Sequence, residues 1–178
     1  MNPKLMLWKL SNIPNRLRGW RAAVGQLGGL PVVTARLDAR VIRTDGKVDD
    51  YGTIQFGRVV TTAGVNFIVD AFQNTTEVEN FHYHGMGTGN TAESAADTAL
   101  VTEVETRATG TQAEGSSANI FSTVGTITAT AARAVVEHGI FSASSSGTLL
   151  DRSVFSTINL ASGDSIQFTY QLTVSAGG

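Results

Sequence analysis

Histidines and closely spaced glycines are the residues of this chain whose types and spacing could support chemistry. His82 and His84 are two positions apart, so on a β-strand both side chains would lie on one face and could bind one metal ion. A metal site of the cupin type would add a nearby carboxylate and a distant third histidine. The first carboxylate after the pair is Glu93, beyond a glycine-rich segment, and the distant histidine would be His138. Because no compact ligand set is complete, we expect no metal here, and we expect the histidines to line a sheet face or a subunit contact.

The glycines Gly85, Gly87 and Gly89 alternate with other residues, a pattern that superficially resembles a phosphate-binding loop. A dinucleotide or P-loop site needs a preceding parallel strand, a following helix and different glycine spacing, and the chain shows no βαβ alternation. The pattern therefore predicts a sharp bend at the end of a strand, with no cofactor bound. After the bend, Asp97 is expected to cap a short helix. Three following apolar residues are expected to face inward: Leu100, Val101 and Val104.

Candidates for hydrolytic chemistry are equally incomplete. Cys is absent, and no GxSxG nucleophile motif occurs. Acidic pairs that could flank a glycosidic bond occur at Glu77/Glu79, Glu103/Glu105 and Asp49/Asp50, but no cluster of sugar-binding aromatic residues accompanies them. We therefore expect a protein that is not an enzyme.

Most of the sequence indicates β-strands. Apolar and polar residues alternate over Val32–Arg43 and again over Asp164–Ser175, as in strands with one buried face. Asp45-Gly46 predicts a hairpin turn leading to a second strand at Tyr51–Val60. Further strands are predicted at Asn80–His84, Asn119–Thr130, Val135–Ala143 and Thr148–Ser156. The predicted fold is mainly β, an antiparallel β-sandwich or jelly-roll-like body.

One helix is predicted at Thr61–Gln73, with Thr61 or Thr62 as its N-cap. Its apolar residues recur with helical spacing, and we expect this face to cover one sheet. The face consists of Val65, Ile68, Val69 and Phe72.

Charge divides the chain into two parts. Nine Lys and Arg but only two Asp precede Val48, whereas four Arg and thirteen acidic residues follow it, within a formal net charge of −2 over 178 residues. We predict an extended basic N-terminal arm over residues 1–31 and a β-sandwich body over residues 32–178. No apolar run is long enough to span a membrane.

The arm combines basic residues with the only two tryptophans, and such residues concentrate binding energy at protein interfaces. Arg16, Arg18 and Arg21 could also contact the phosphates of nucleic acid or a membrane surface, but we favour a protein partner. The candidate partner-binding residues are Trp8, Lys9, Arg16, Arg18, Trp20 and Arg21.

Several motifs resemble a pattern in small virion proteins of tailed bacteriophages. The similar segments are VVTTAGVN at Val59–Asn66, the run from Phe81 to Gln112, EHGIFSA at Glu137–Ala143 and GTLLDRSVFS at Gly147–Ser156. The resemblance covers roughly Val32 to the end and leaves the first thirty residues unmatched. It implies a structural, non-enzymatic protein of the virion.

Within that resemblance, we favour a capsid cement (decoration) protein on the capsid surface, made in the host cytoplasm. Its implied partners are the major capsid protein and further copies of itself, with a homotrimer expected. A tail or baseplate adaptor is the alternative, and a cupin-like metal- or carbohydrate-binding protein is a more distant one.

Overall fold

The computed structural model describes residues 32–57 and 59–176. The candidate arm residues lie outside these ranges. The described elements are strands β1 Val32–Ile42, β2 Val48–Phe56 and β3 Val59–Val60, helix α1 Thr62–Phe72, a 3-10 turn at Val78–Asn80, and strands β4 Tyr83–Gly87, β5 Glu103–Thr109, β6 Thr111–Glu114, β7 Ile120–Thr128, β8 Arg133–Phe141, β9 Leu149–Leu160 and β10 Ser165–Ser175.

The strands form two five-stranded antiparallel sheets. The first has the order β2-β1-β10-β7-β6 and the second β3-β9-β8-β4-β5. One apolar core includes buried residues from both sheets, such as Leu37 and Phe168 from the first and Ile140 and Leu150 from the second. The predicted mainly β, sandwich-type body with one α-helix is therefore confirmed, and the narrower jelly-roll connectivity stays a prediction.

The alternating strands form as predicted. In β1 the inward positions Ala35, Leu37, Ala39 and Val41 are all buried. The hairpin after β1 turns at Gly46, whose φ of +84° is the left-handed conformation that glycine adopts without steric cost.

The predicted strand Tyr51–Val60 is wrong in one respect, because it is two strands in different sheets. Gly57 separates them with a φ of +71°, and its N–H donates to the Ala35 carbonyl at 2.9 Å. The chain also crosses between sheets at Gly110, which joins β5 to β6. Neither β5 nor β6 was predicted, because their charged and polar side chains hide the alternation.

The predicted strand at Asn80–His84 begins only at Tyr83, after the 3-10 turn. The predicted short helix at Asp97 does not form. The Asp97 carboxylate accepts a hydrogen bond from the Ser94 N–H, three residues earlier, so it caps a turn that precedes it. Of the apolar residues expected to face inward there, Leu100 is buried but Val101 is exposed.

Helix α1 begins as predicted but presents a different face to the core. The Thr61 hydroxyl accepts from the Gly64 N–H at 2.9 Å and caps the helix. Phe67 and Ile68 pack against the core. The prediction that Val65, Val69 and Phe72 cover a sheet is wrong, because these three side chains are exposed.

Gly64 determines how closely the helix approaches the sheet. A Cβ atom at this position would lie 2.8 Å from the Leu150 Cα and carbonyl oxygen of β9, which are backbone atoms that cannot rotate away. The helix therefore rests on β9 through a residue without a side chain.

We predict that Gly64→Ala lowers the free energy of unfolding by about 1–3 kcal/mol, because overpacking against backbone outweighs the gain in helix propensity of about 1 kcal/mol. Chemical denaturation measures the change. The control Asn66→Ala, on the exposed side of the same helix, should shift stability by less than about 0.5 kcal/mol. A stabilised Gly64→Ala variant would contradict the close approach.

Candidate functional site

A buried carboxylate lies at the centre of the glycine-rich segment. Glu137 of β8 is fully buried and accepts three backbone N–H hydrogen bonds. Its Oε1 accepts from Thr102 at 2.8 Å and from Gly89 at 3.0 Å, and its Oε2 accepts from Val101 at 3.0 Å. These bonds hold both ends of the loop 88–102 against the second sheet.

The glycines of this segment leave room for the carboxylate. A Cβ atom at Gly87 would lie 2.4 Å from the Glu137 Oε1, and one at Gly89 would lie 2.7 Å from the same atom. Backbone N–H groups that converge in this way form an anion-binding concavity. Here the anion is the protein's own side chain, so the resemblance to a phosphate loop has a structural cause.

Arg152 of β9 pairs with this carboxylate. Its guanidinium contacts Glu137 at 2.9 Å, Asp97 at 2.9 Å and the Thr91 carbonyl at 3.0 Å, and its side chain is fully buried. Burial alone would lower the pKa of Arg152, but the hydrogen bonds to Asp97 and Glu137 outweigh it and raise the pKa. The arginine therefore stays charged and joins the loop to two neighbouring strands.

The histidines are not arranged as predicted from their spacing. His84 and His138 are buried and adjacent, with 3.1 Å between His84 Nδ1 and His138 Nε2, and His84 Nε2 lies 3.2 Å from the Thr123 hydroxyl of the other sheet. His82 instead stacks on Tyr83 and contacts the Glu79 carbonyl through Nδ1. Across residues 32–57 and 59–176 no group of three or more His, Cys, Asp and Glu is placed to hold a metal ion. The cluster links the two sheets.

The acidic pair Glu103/Glu105, one of those that might have flanked a glycosidic bond, binds two separate arginines. Glu103 pairs with Arg107 at 2.6 Å, whereas Glu105 pairs with Arg133 at 2.7 Å. Burial would raise the pKa of Glu105, but hydrogen bonds from Thr130 and Arg133 outweigh it and lower the pKa. Arg107 also lies over the Phe141 ring, 3.3 Å from its centroid. Glu105 thus joins β5 to β8, whereas the pair between Glu103 and Arg107 lies within β5.

A shallow polar groove of about 350 Å³ lies on the outer face of the first sheet. Arg36, Asp38, Arg40, Gln167 and Thr169 are among its lining residues. Arg36 pairs with Asp38 at 2.9 Å, so the groove carries charges of both signs.

Side chains and bulges protect two strand edges, the part of β9 beyond its pairing with β3 and the edge strand β2, from adding a further strand. On β9, Val154 donates its N–H to Glu93 at 2.7 Å and accepts from Gln55 at 2.6 Å, and the Asn159 carbonyl accepts from Arg43 at 2.9 Å. The pairing of β1 with edge strand β2 is interrupted by two register shifts, which twist such an edge. Association through these edges is therefore disfavoured.

The exposed apolar surface of α1 remains available for binding. Val65, Val69 and Phe72 lie at i, i+4 and i+7 and are 48%, 50% and 87% exposed. They form an apolar stripe on one side of the helix, hereafter the α1 stripe. Asp70, Glu77 and Glu79 are also exposed and close to it in sequence.

No family model matches this chain, and no curated protein is significantly similar to it. Among the described residues, no helix is long and apolar enough to cross a membrane.

Sequence reasoning missed Glu137 and Arg152 as the centre of this arrangement. A signal was present, because each is a charged residue within a predicted strand of mostly apolar neighbours. Such residues are almost never fully buried unless paired. The pairing itself was not visible, because the loop contributes mainly backbone groups.

We predict that Glu137→Gln lowers the free energy of unfolding by about 3–5 kcal/mol, because it removes the charge opposite buried Arg152. The amides of Gly89, Val101 and Thr102 should exchange hydrogen faster in the folded variant. The control Glu103→Gln breaks the partly exposed pair with Arg107 and should cost less than about 1 kcal/mol. Equal losses for the two variants would contradict the role of Glu137.

A second ion pair joins the hairpin between β1 and β2 to the hairpin between β9 and β10. The Asp164 carboxylate accepts from the Ala161 N–H at 2.9 Å, from Arg43 at 2.9 Å and from the Thr44 N–H at 3.1 Å. The Ala161 hydrogen bond and then the Arg43 contact lower the pKa of Asp164 below its ordinary value of 3.8.

We predict that Asp164→Asn destabilises the protein at pH 7 and makes its free energy of unfolding depend less on pH in acid. A carboxylate with a lowered folded-state pKa stabilises the fold above its unfolded-state pKa, and this stability is lost as the pH falls through the folded-state value. The difference in unfolding free energy between wild type and variant should therefore shrink below about pH 4. Denaturation curves from pH 7 to pH 2 measure it, and a constant difference across this range would contradict the assignment.

Proposed function

We propose that this chain is a structural virion protein of a tailed bacteriophage, which binds the capsid surface and bridges major capsid protein subunits as a cement protein. One observation carries the proposal. Three stretches that resemble virion proteins, Phe81–Gln112, Glu137–Ala143 and Gly147–Ser156, converge on the pair between Glu137 and Arg152. The motifs are thus parts of one buried scaffold.

The side chains that could have supported chemistry have structural roles in the fold, and this supports a binding function for the protein. The glycine loop encloses Glu137, and the buried histidines link the two sheets. Function is then left to surfaces, namely the α1 stripe and the basic arm at residues 1–31. The arm sequence supplies tryptophan and arginine, the residue types that dominate interface energies.

Reinforcement of a shell by such a protein depends on several weak contacts acting together. A body that sits on a junction and an arm that reaches a neighbouring subunit bind at high effective concentration once the first contact forms. We propose a homotrimer around a shell symmetry axis, with Trp8, Lys9, Arg16, Arg18, Trp20 and Arg21 as the partner-binding residues of the arm.

A tail or baseplate adaptor would use the same scaffold and arm, and the position of the chain in the particle separates the two roles. Electron microscopy of the intact particle should find its density on the capsid surface. Density restricted to the tail would replace the cement assignment by the adaptor. The distant cupin-like alternative gains no support from the geometry, because His82 lies apart from His84 and His138.

We predict that deleting residues 1–30 reduces binding to undecorated capsids by at least about 100-fold, because the bridging contact and its effective concentration are lost. Cosedimentation with capsids measures the binding, and circular dichroism checks that the body stays folded. The full-length Trp8→Ala/Trp20→Ala variant should weaken binding in the same direction. The control Lys47→Ala, in the hairpin after β1, should not. If the truncated protein binds as well as the full chain, the arm has no such role.

A further inference from the structure

The α1 stripe is an apolar surface without a described partner on the body. Phe72 leaves almost its whole ring in water, and Val65 and Val69 continue the surface along the helix. Phe67 and Ile68 of the same helix pack on the core, whereas the three stripe residues are exposed and accessible to another chain.

The charges near the stripe indicate what kind of partner it fits. Asp70, Glu77 and Glu79 are exposed, and residues 62–80 contain no Lys or Arg. An apolar surface whose neighbouring residues in the chain carry only negative charge fits a segment that carries large apolar side chains together with basic ones.

Residues 1–31 of the chain have this composition. The segment contains five basic residues and no acidic one. Its basic residues are Lys4, Lys9, Arg16, Arg18 and Arg21, and its large apolar residues include Leu5, Leu7, Trp8, Leu10 and Trp20. At about 3.3 Å per residue a segment of this length can extend for up to about 100 Å, which is enough to reach another molecule.

We propose that the α1 stripe is the docking site for residues 1–31 of a neighbouring copy of the same chain. The large apolar residues of the segment supply the apolar part of this contact and its arginines supply the positive charge. A contact between two different surfaces of identical subunits is heterologous, and repeating it closes a ring when the rotation between neighbouring subunits divides a full turn.

The docking gives the arm a partner in addition to the capsid, namely a neighbouring copy of the chain, and in its biological setting it rests on the proposed cement function. A ring would present several bodies to the capsid at once, so loss of the arm would weaken capsid binding through lost multivalency. The docking itself can be tested without capsids.

The first experiment measures the oligomeric state of the full-length protein by light scattering and sedimentation over a range of concentrations. Wild type should form a closed oligomer, and Val69→Ser/Phe72→Ser should raise the dissociation constant at least about tenfold, because truncating large anchor side chains is among the costliest changes at an interface. The control Phe56→Ser replaces another exposed phenylalanine, at the end of β2, and should leave assembly unchanged. Circular dichroism establishes that each variant is folded.

The second experiment reverses charges across the contact. Glu77→Lys/Glu79→Lys should weaken assembly, and adding Arg16→Glu/Arg18→Glu should restore part of it. A photocrosslinker at position 72 should label peptides from residues 1–31, and mixing isotopically light and heavy protein should show that the label joins two different molecules.

Each result decides the matter. A monomer at every concentration, full assembly of the Val69→Ser/Phe72→Ser variant, or crosslinks confined to one molecule would overturn the docking. A ring that assembles as described but does not bind capsids would leave the docking intact and count against the cement function.

Discussion

The pairing of Glu137 with Arg152 is the constraint on which the second half of the structure depends. Two charges are fully buried, which is unfavourable unless each is matched and hydrogen-bonded. The protein meets this condition with the backbone N–H groups of Gly89, Val101 and Thr102 on one side and with Asp97 on the other. A long irregular loop is thereby fixed without any helix or strand of its own.

A second polar contact connects the two sheets. His84 joins His138 on the neighbouring strand and Thr123 on the opposite sheet, within a core that is otherwise mainly apolar. A Cβ atom at Gly125 would lie 2.4 Å from the His84 ring, so this glycine makes room for it. Hydrogen bonds of this kind have directional requirements that apolar packing lacks, so they restrict how one sheet can lie on the other.

The sequence predicted those elements whose signals are local. Alternation located β1 and β10, and Asp45-Gly46 located the hairpin between β1 and β2. The helix was located but its buried face was wrong, because Val65, Phe67, Ile68 and Val69 place apolar residues on both sides. Periodicity alone cannot choose between such faces.

The features that the sequence did not predict depend on contacts between residues that are distant along the chain. The buried face of the helix is the one that carries Gly64, because only a residue without a side chain can lie so close to Leu150. No residue near Gly64 in the sequence indicates this contact. Asp97 looked like a helix cap because its true partner, Arg152, follows 55 residues later. The predicted bend at the glycines is wrong, because Gly85 and Gly87 lie within β4 and neither has a left-handed φ. Their role is to leave room for the Glu137 carboxylate, which was not predicted. A single sequence shows which residues are unusual without showing which of them meet.

The loop 88–102 also has a consequence for the order of folding. Its bonds to Glu137 span 35 to 48 residues, and the contact of Thr91 with Arg152 spans 61. Contacts so distant along the chain carry a loop-closure cost and form more slowly than local ones. During synthesis, the loop therefore has no anion to enclose until β8 has left the ribosome, and no arginine until β9 has followed. The stretch of sequence that looks most like a ready-made site is thus among the later parts of the body to acquire its shape.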